Sequence, residues 1–363
     1  MKRFFVLLLV LVLAGETVSG QAPVFRYTEA SELTLVGKLF NDTPNPYHRV
    51  DTSRFTGLTR RENTLVRMSS GIACAFRTNS TSISITTVYR EPGFPTNGNG
   101  ISTRGYDLYI REKGKWFYAA SAVNPDDRLG EELLLISGMQ EGRSYDCLLY
   151  LPLYSELESV KIGIEESASI EPLENPFRHR IAVFGSSFTH GSSTSRAGMS
   201  YPAQLSRSTG LQMLSLGVSG NCLLQDSFCD ILCAAPEVDA FVFDAFSNPS
   251  ARTMEKRLFP FIEKLQAAHP GVPLVFQRTI WREQRHFNAV KDAAEDKKMH
   301  MADSLMAIAV KKYKDVYYIT PNATSKAHDT SVDGIHPGDH GYTLWAGSIR
   351  KPLKRILRKY GIR

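Results

Sequence analysis

Polar and apolar residues alternate in the first half of the chain. Thr81–Tyr89 reads TSISITTVY, a period-two pattern rich in β-branched side chains. Shorter runs of strand type follow at Tyr106–Ile110, Trp116–Ala120, Leu133–Ile136, Tyr145–Leu151 and Val160–Ile164. Turn-forming clusters divide them, notably Glu91–Gly100 (EPGFPTNGNG) and Asn124–Arg128. Many short strands punctuated in this way predict an antiparallel β-sandwich domain over residues 21–172.

The pattern changes after Pro172. Glu171–His179 (EPLENPFRH) reads as a linker with two prolines. Beyond it, the predicted strands Ile181–Phe184, Met213–Leu216, Ala240–Phe243, Leu274–Phe276 and Val316–Ile319 are continuous apolar runs. That is the composition of a parallel sheet covered on both faces. Helical stretches separate them around Pro202–Arg207, over Asp226–Ala234, from about Thr253 to Ala268 and up to about Lys312, and a last helix closes the chain. Residues 173–363 are therefore expected to form a five-strand, three-layer α/β domain of flavodoxin-like type. Reactive groups in such domains gather at the carboxyl ends of the strands.

The N-terminus has the pattern of a signal peptide over residues 1–20. Lys2 and Arg3 precede the apolar run Phe4–Ala14, and Val18, Ser19 and Gly20 supply a cleavage site before Gln21. The run is short for a membrane span. An exported protein, periplasmic or extracellular, with no stable membrane span is expected. The net charge of +6 is modest for 363 residues. Much of it sits between Lys351 and Arg363, around Leu353, Ile356 and Leu357, as expected of a helix with one solvated basic face. No nucleic-acid partner is indicated. The five cysteines, Cys74, Cys147, Cys222, Cys229 and Cys233, leave at least one unpaired. Cys229 and Cys233 have no further ligand at zinc-like spacing, so they read as buried small hydrophobes and no metal site is predicted.

Candidate chemistry lies at both ends of the α/β half. The first strand runs into Gly185-Ser-Ser-Phe-Thr-His-Gly191, a turn that exposes a seryl hydroxyl beside backbone N–H groups. Such a hydroxyl needs a base to become a nucleophile. Asp333-Gly-Ile-His336-Pro337 supplies a candidate in a late loop, where an Asp three residues before a His can reach its Nδ1–H.

Taken together, these segments resemble the SGNH, or GDSL-like, hydrolases. The Gly-Asp-Ser-x-x-x-Gly block of that family is matched by Gly185–Gly191, with Ser187 in the nucleophile position and Ser186 replacing the usual Asp. Leu216–Asn221 resembles the block that contributes a glycine N–H to the oxyanion hole, by which Gly220 corresponds. Asn248, in Phe243–Pro249, is the candidate for the asparagine donor, although the glycine that usually precedes it is missing. Asp333 and His336 match the final Asp-x-x-His block. Arg104–Tyr109 (RGYDLY) is similar to the Gly-x-Asp-Leu-Tyr motif of a β-domain that precedes a subgroup of these esterases, and Ser195–Pro202 also looks like that subgroup. Asp107 and Tyr109 are expected to make structural hydrogen bonds within the sandwich.

The resemblance implies a serine esterase with a Ser187–His336–Asp333 triad and an oxyanion hole of Ser187, Gly220 and Asn248, working without a cofactor. The substrate it implies is an acylated carbohydrate or another small ester. A lipase-like acylhydrolase and a non-catalytic glycan-binding protein on the same fold are the alternatives. His190, Arg278 and Trp281 are candidate substrate contacts. For His190, packing is favoured, because His336 already fills the base role. For Arg278 and Trp281, packing is an equal alternative.

Overall fold

The computed structural model describes residues 24–363, so the segment read as a signal peptide lies outside the described residues. The N-terminal half forms strands β1 (Phe25–Glu29), β2 (Thr34–Val36), β3 (Ala73–Thr78), β4 (Ile83–Glu91), β5 (Tyr106–Glu112), β6 (Lys115–Ala122), β7 (Leu133–Ile136), β8 (Tyr145–Tyr150), β9 (Glu156–Glu165) and β10 (Ile170–Pro172). Helices α1 (Arg60–Arg67) and α2 (Gly100–Arg104) interrupt them. The strands make two antiparallel sheets, ordered β1-β9-β4-β7 and β10-β3-β8-β5-β6, and β2 shares the outer edge of β3 with β10. Alternate side chains point to opposite faces of a strand. Ile83 and Ile85 of the first sheet and Tyr106, Leu108, Cys147 and Leu149 of the second thereby meet in one apolar cluster.

The C-terminal half forms β11 (Arg178–Gly185), α3 (Ser187–His190), α4 (Tyr201–Thr209), β12 (Leu211–Gly217), α5 (Asp226–Cys233), β13 (Ala240–Asp244), α6 (Ala251–Ala268), β14 (Leu274–Gln277), α7 (Ala289–Lys312), β15 (Val316–Ile319) and α8 (Asp339–Leu357). The five strands are parallel in the order β12-β11-β13-β14-β15, which is the flavodoxin-like order. Ile181 and Val183 of β11 pack against Tyr201, Leu205, Trp345 and Ile349 on one face. Ala182 and Phe184 pack against residues of α5, α6 and α7 on the other. Both faces are covered, which is why these strands read as unbroken apolar runs. The sixth helix begins slightly before the predicted Thr253 because Ser250 caps it, accepting from Thr253 N–H at 3.1 Å. Leu353, Ile356 and Leu357 of the closing helix are buried, as its spacing predicts.

Two expectations need adjustment. The linker is shorter than 171–179, because Glu171 and Pro172 pair with β3 and Arg178 already pairs with β12. Cys229 is buried but Cys233 is only half-buried, and all five thiols are free. The halves also share a core. Leu39, Phe40, Val50, Leu65 and Val66 leave the β-strands and join Leu214, Leu216 and Phe228 in the α/β interior. Each such buried side chain contributes about 1.5–3 kcal/mol. Arg49, fully buried beneath this strap, donates to the carbonyls of Met68 at 2.8 Å, Gly217 at 2.8 Å and Leu65. It ties the strap to the carboxyl end of β12.

Candidate active site

The turn after β11 is built by close approach. At Gly185 a Cβ would lie 2.0 Å from Thr189 Oγ1 and 2.9 Å from the Asp244 Cβ, so only glycine fits. Ser186 caps α3, its Oγ accepting from Phe188 N–H at 3.2 Å and donating to Asp244 Oδ2 at 2.6 Å. Ser187 is then the first residue of the helix, where the backbone N–H has no partner within the helix.

The late loop brings its histidine to this serine. Ser187 Oγ lies 2.8 Å from His336 Nε2, and His336 Nδ1 lies 2.7 Å from Asp333 Oδ2. Asp333 Oδ1 accepts from the backbone N–H groups of Ile335 at 2.9 Å and His336 at 2.7 Å. Burial pushes the Asp333 carboxyl up, but these bonds and the imidazole outweigh it and hold it at about 2. Glu283 anchors the loop, its carboxylate accepting from Thr330 and Ser331 N–H at 3.0 and 2.7 Å. An ionised carboxylate at Nδ1 fixes the ring tautomer that leaves Nε2 free to accept the seryl proton.

Ser187, Gly220, Asn248 and His336 line one cavity of about 460 Å³. Gly220 sits at φ 72°, a left-handed conformation that side chains disfavour. Among the described residues the N–H groups of Ser187 and Gly220 have no backbone partner. Asn248 Oδ1 accepts from Cys222 N–H at 3.2 Å, which leaves its NH₂ group for the cavity. Three residues with such donors therefore line the cavity of the seryl hydroxyl, beyond the carboxyl ends of β11, β12 and β13.

A family model for GDSL-like lipases and acylhydrolases matches residues 178–354. A second, described as the GxDLY N-terminus of SGNH-hydrolase-type esterases, matches residues 25–170. The crystal structure of a GDSL-like lipase from Bacteroides ovatus shares 33% sequence identity, covers 92% of this chain and 98% of its own, and superposes with a TM-score of 0.88. The chain belongs to the GDSL-like lipase/acylhydrolase family. More distant structures share the fold. A salicylyl-acyltransferase from a tetracycline biosynthetic pathway is 17% identical with a TM-score of 0.69, over 93% of this chain and 99% of its own. A family two carbohydrate esterase from Cellvibrio japonicus is 12% identical with a TM-score of 0.60, over 92% and 98%. Comparison with curated proteins returns no match.

In this GDSL-like hydrolase the position of the usual motif Asp is filled by Ser186, and the carboxylate comes from the end of β13. Asp244 accepts from Ser186 N–H at 3.1 Å, Ser186 Oγ at 2.6 Å and Ser247 Oγ at 2.8 Å. Burial pushes its pKa up against those bonds. The sequence signal was a carboxylate closing an otherwise apolar strand, four residues before Asn248.

The three candidate substrate contacts do not face the cavity. His190 is fully buried, with Nε2 2.7 Å from Leu153 O and its ring stacked on Tyr154 at 4.2 Å. Packing, the favoured alternative, is its role. Arg278 turns to Asp303, with Nε and NH2 at 3.0 and 2.8 Å from the carboxylate. Trp281 lies against His328, ring centroids 4.5 Å apart. The residues that do line the cavity from this region are Arg282 and Lys298.

The N-terminal half supplies the other wall of the site. Arg61, Pro95, Asn97 and Tyr154 line the same cavity. Asn97 Nδ2 donates to Asp333 Oδ2 at 3.1 Å. Tyr154 OH lies 2.6 Å from Ser219 Oγ, beside Gly220. The GxDLY residues act across the domain boundary, not within the sandwich as expected. Asp107, fully buried, accepts from Arg196 NH1 at 3.0 Å and Gly198 N–H at 2.8 Å, and Arg196 also bonds the Tyr109 hydroxyl. The two motif segments of the subgroup, Arg104–Tyr109 and Ser195–Pro202, are thus two sides of one latch.

Proposed function

We propose that this hydrolase is an exported serine esterase that removes acyl groups, acetyl foremost, from a carbohydrate. The observation that carries the reading is the continuous hydrogen-bonded chain from Ser187 through His336 to Asp333 beside three free donors. His336 takes the Ser187 proton as Oγ attacks the ester carbonyl. The Ser187 and Gly220 N–H groups and the Asn248 amide hold the oxyanion, each contributing about 10²–10³ in turnover. His336 then protonates the leaving alcohol, and water repeats the sequence on the acyl-enzyme. The carbohydrate preference is supported by the carbohydrate esterases among the structural relatives and by a cleft walled by an appended β-domain. Export, to the periplasm or outside the cell, rests on the pattern of residues 1–20.

The test is hydrolysis of p-nitrophenyl acetate and longer p-nitrophenyl esters by wild type, Ser187→Ala and Ser186→Ala, each checked for folding. Acetate preference, with turnover abolished in Ser187→Ala and retained in Ser186→Ala, is expected. Preference for long chains moves the reading to a lipase. Full activity in Ser187→Ala, or no hydrolysis of any ester by wild type, overturns the catalytic assignment.

A further inference from the structure

The cavity beside Ser187 is cationic, and its positive charge is not balanced locally. Arg282 and Lys298 converge on one acceptor: Arg282 NH2 donates to Ser247 O at 2.7 Å and Lys298 Nζ donates to the same oxygen at 3.0 Å. Among the described residues only one carboxylate serves both. Glu295 lies 2.8 Å from Arg282 NH1 and 3.6 Å from Lys298 Nζ. All three side chains are largely shielded, at 11%, 19% and 12% exposure for Arg282, Lys298 and Glu295, so solvent screens them weakly. Burial and then the neighbouring Arg282 hold the Lys298 pKa below its ordinary value, against the opposing pull of Glu295. Ser247, where both meet, immediately precedes Asn248. From the opposite wall Arg61 of α1 adds a third cation, exposed and, among the described residues, engaged in no ion pair. A second cavity of about 580 Å³ adjoins the first through Arg61, Pro95, Tyr154 and Ser219, and Arg60 and one acid, Glu91, are also among its lining residues.

We infer that Arg282, Lys298 and Arg61 form an anion subsite, and that the natural substrate is an ester on a sugar that also carries a negative charge, a carboxylate or a sulfate. This inference rests on the esterase reading and narrows it. Glu295 offsets only one of the two shielded cations, and an anion at the subsite supplies the second negative partner. The arrangement discriminates by charge, because a neutral sugar leaves the excess positive charge unanswered.

The test compares three acetylated substrates of one ring: methyl glucoside, methyl glucuronide and methyl glucoside sulfate. Wild type is expected to show kcat/KM about tenfold higher for an anionic sugar than for the neutral one, a preference that shrinks as ionic strength rises. Whichever anion gains more identifies carboxylate or sulfate. Within Lys298→Gln and Arg61→Gln the anionic-to-neutral ratio should fall about fivefold, while the distant surface variant Lys359→Gln keeps the wild-type ratio. Calorimetric binding of deacetylated methyl glucuronide and methyl glucoside to Ser187→Ala reads the subsite without turnover. Turnover of the neutral ester with no anionic preference in rate or binding overturns the subsite and leaves the esterase standing. Preferential binding of the glucuronide with no ester hydrolysed by wild type keeps the subsite and overturns the esterase.

Discussion

Asn97 and Asp333 stand 236 residues apart in sequence, yet the Asn97 amide donates to the carboxylate that orients His336, at 3.1 Å. The β-domain therefore completes the hydrogen-bond shell of a group in the other half. Asp333 has two oxygens, and the loop's own N–H groups occupy only Oδ1. Oδ2 is shared by the imidazole and Asn97.

Removing that amide should loosen the orienting carboxylate without touching the nucleophile. Asn97→Ala is expected to lower kcat by about tenfold, equivalent to ~1.4 kcal/mol, with KM little changed. Asn97→Asp sets a second carboxylate against Asp333 and should be worse than alanine. A loss confined to thermal stability, with kcat unchanged, would reduce Asn97 to a packing residue.

The domain latch makes a different prediction. Asp107 is fully buried and Arg196 is its charge partner, so removing one strands the other. Asp107→Ala and Arg196→Ala should each destabilise by about 3 kcal/mol, and the double variant by much less than their sum. Chemical denaturation of the four proteins checks this. Strict additivity would mean that the pair does not couple the halves.

These two contacts mark the limit of what the chain reveals before folding. The five parallel strands are legible because each is an apolar run closed by turn residues, and Ser187, Gly220, Asp333 and His336 because their short motifs fall at strand ends. Strand β3 (ACAFRT) is buried along almost its whole length and shows no alternation, while β2 spans three residues and β10 ends in proline, so none carries a strand signal. Asn97 lies in a Pro-, Gly- and Asn-rich stretch that reads only as a turn. Arg278 and Trp281 occupy the right loop, but its backbone aims them at Asp303 and His328 and leaves Arg282 toward the cavity. Direction within a loop is set by tertiary contacts, which local pattern does not encode.

The exchange of the motif carboxylate between Ser186 and Asp244 is testable by swapping it back. Ser186→Asp alone places two carboxylates where one accepts a hydroxyl at 2.6 Å, and should destabilise the nucleophile turn and cut turnover at least tenfold. Adding Asp244→Ser restores one acid and one hydroxyl in reversed positions. The double variant should recover most of the lost activity and melting temperature. If it is no better than Ser186→Asp, the two positions are not equivalent and the reading of Asp244 as the relocated acid fails.

His190 governs the last prediction, acid lability. Burial, and then the nearby Arg49 guanidinium, push its pKa down from 6.5 to about 3. The folded pKa lies below the unfolded one, so as pH falls through 6.5 the unfolded chain binds a proton that the native protein refuses. Stability is therefore full above that pH and declines below it, by up to about 1.4 kcal/mol per unit, until about pH 3. His48, lowered to about 4 chiefly by burial, adds slope in the same direction. Asp333, held at about 2, contributes only below its ordinary 3.8. His190→Gln retains a donor for Leu153 O but no titrating ring. Urea unfolding between pH 4.5 and 6.5, about two units below the unperturbed imidazole value at most, should show a shallower loss of stability in this variant than in wild type. Parallel lines for the two proteins would show that His190 is not the group the native state keeps unprotonated.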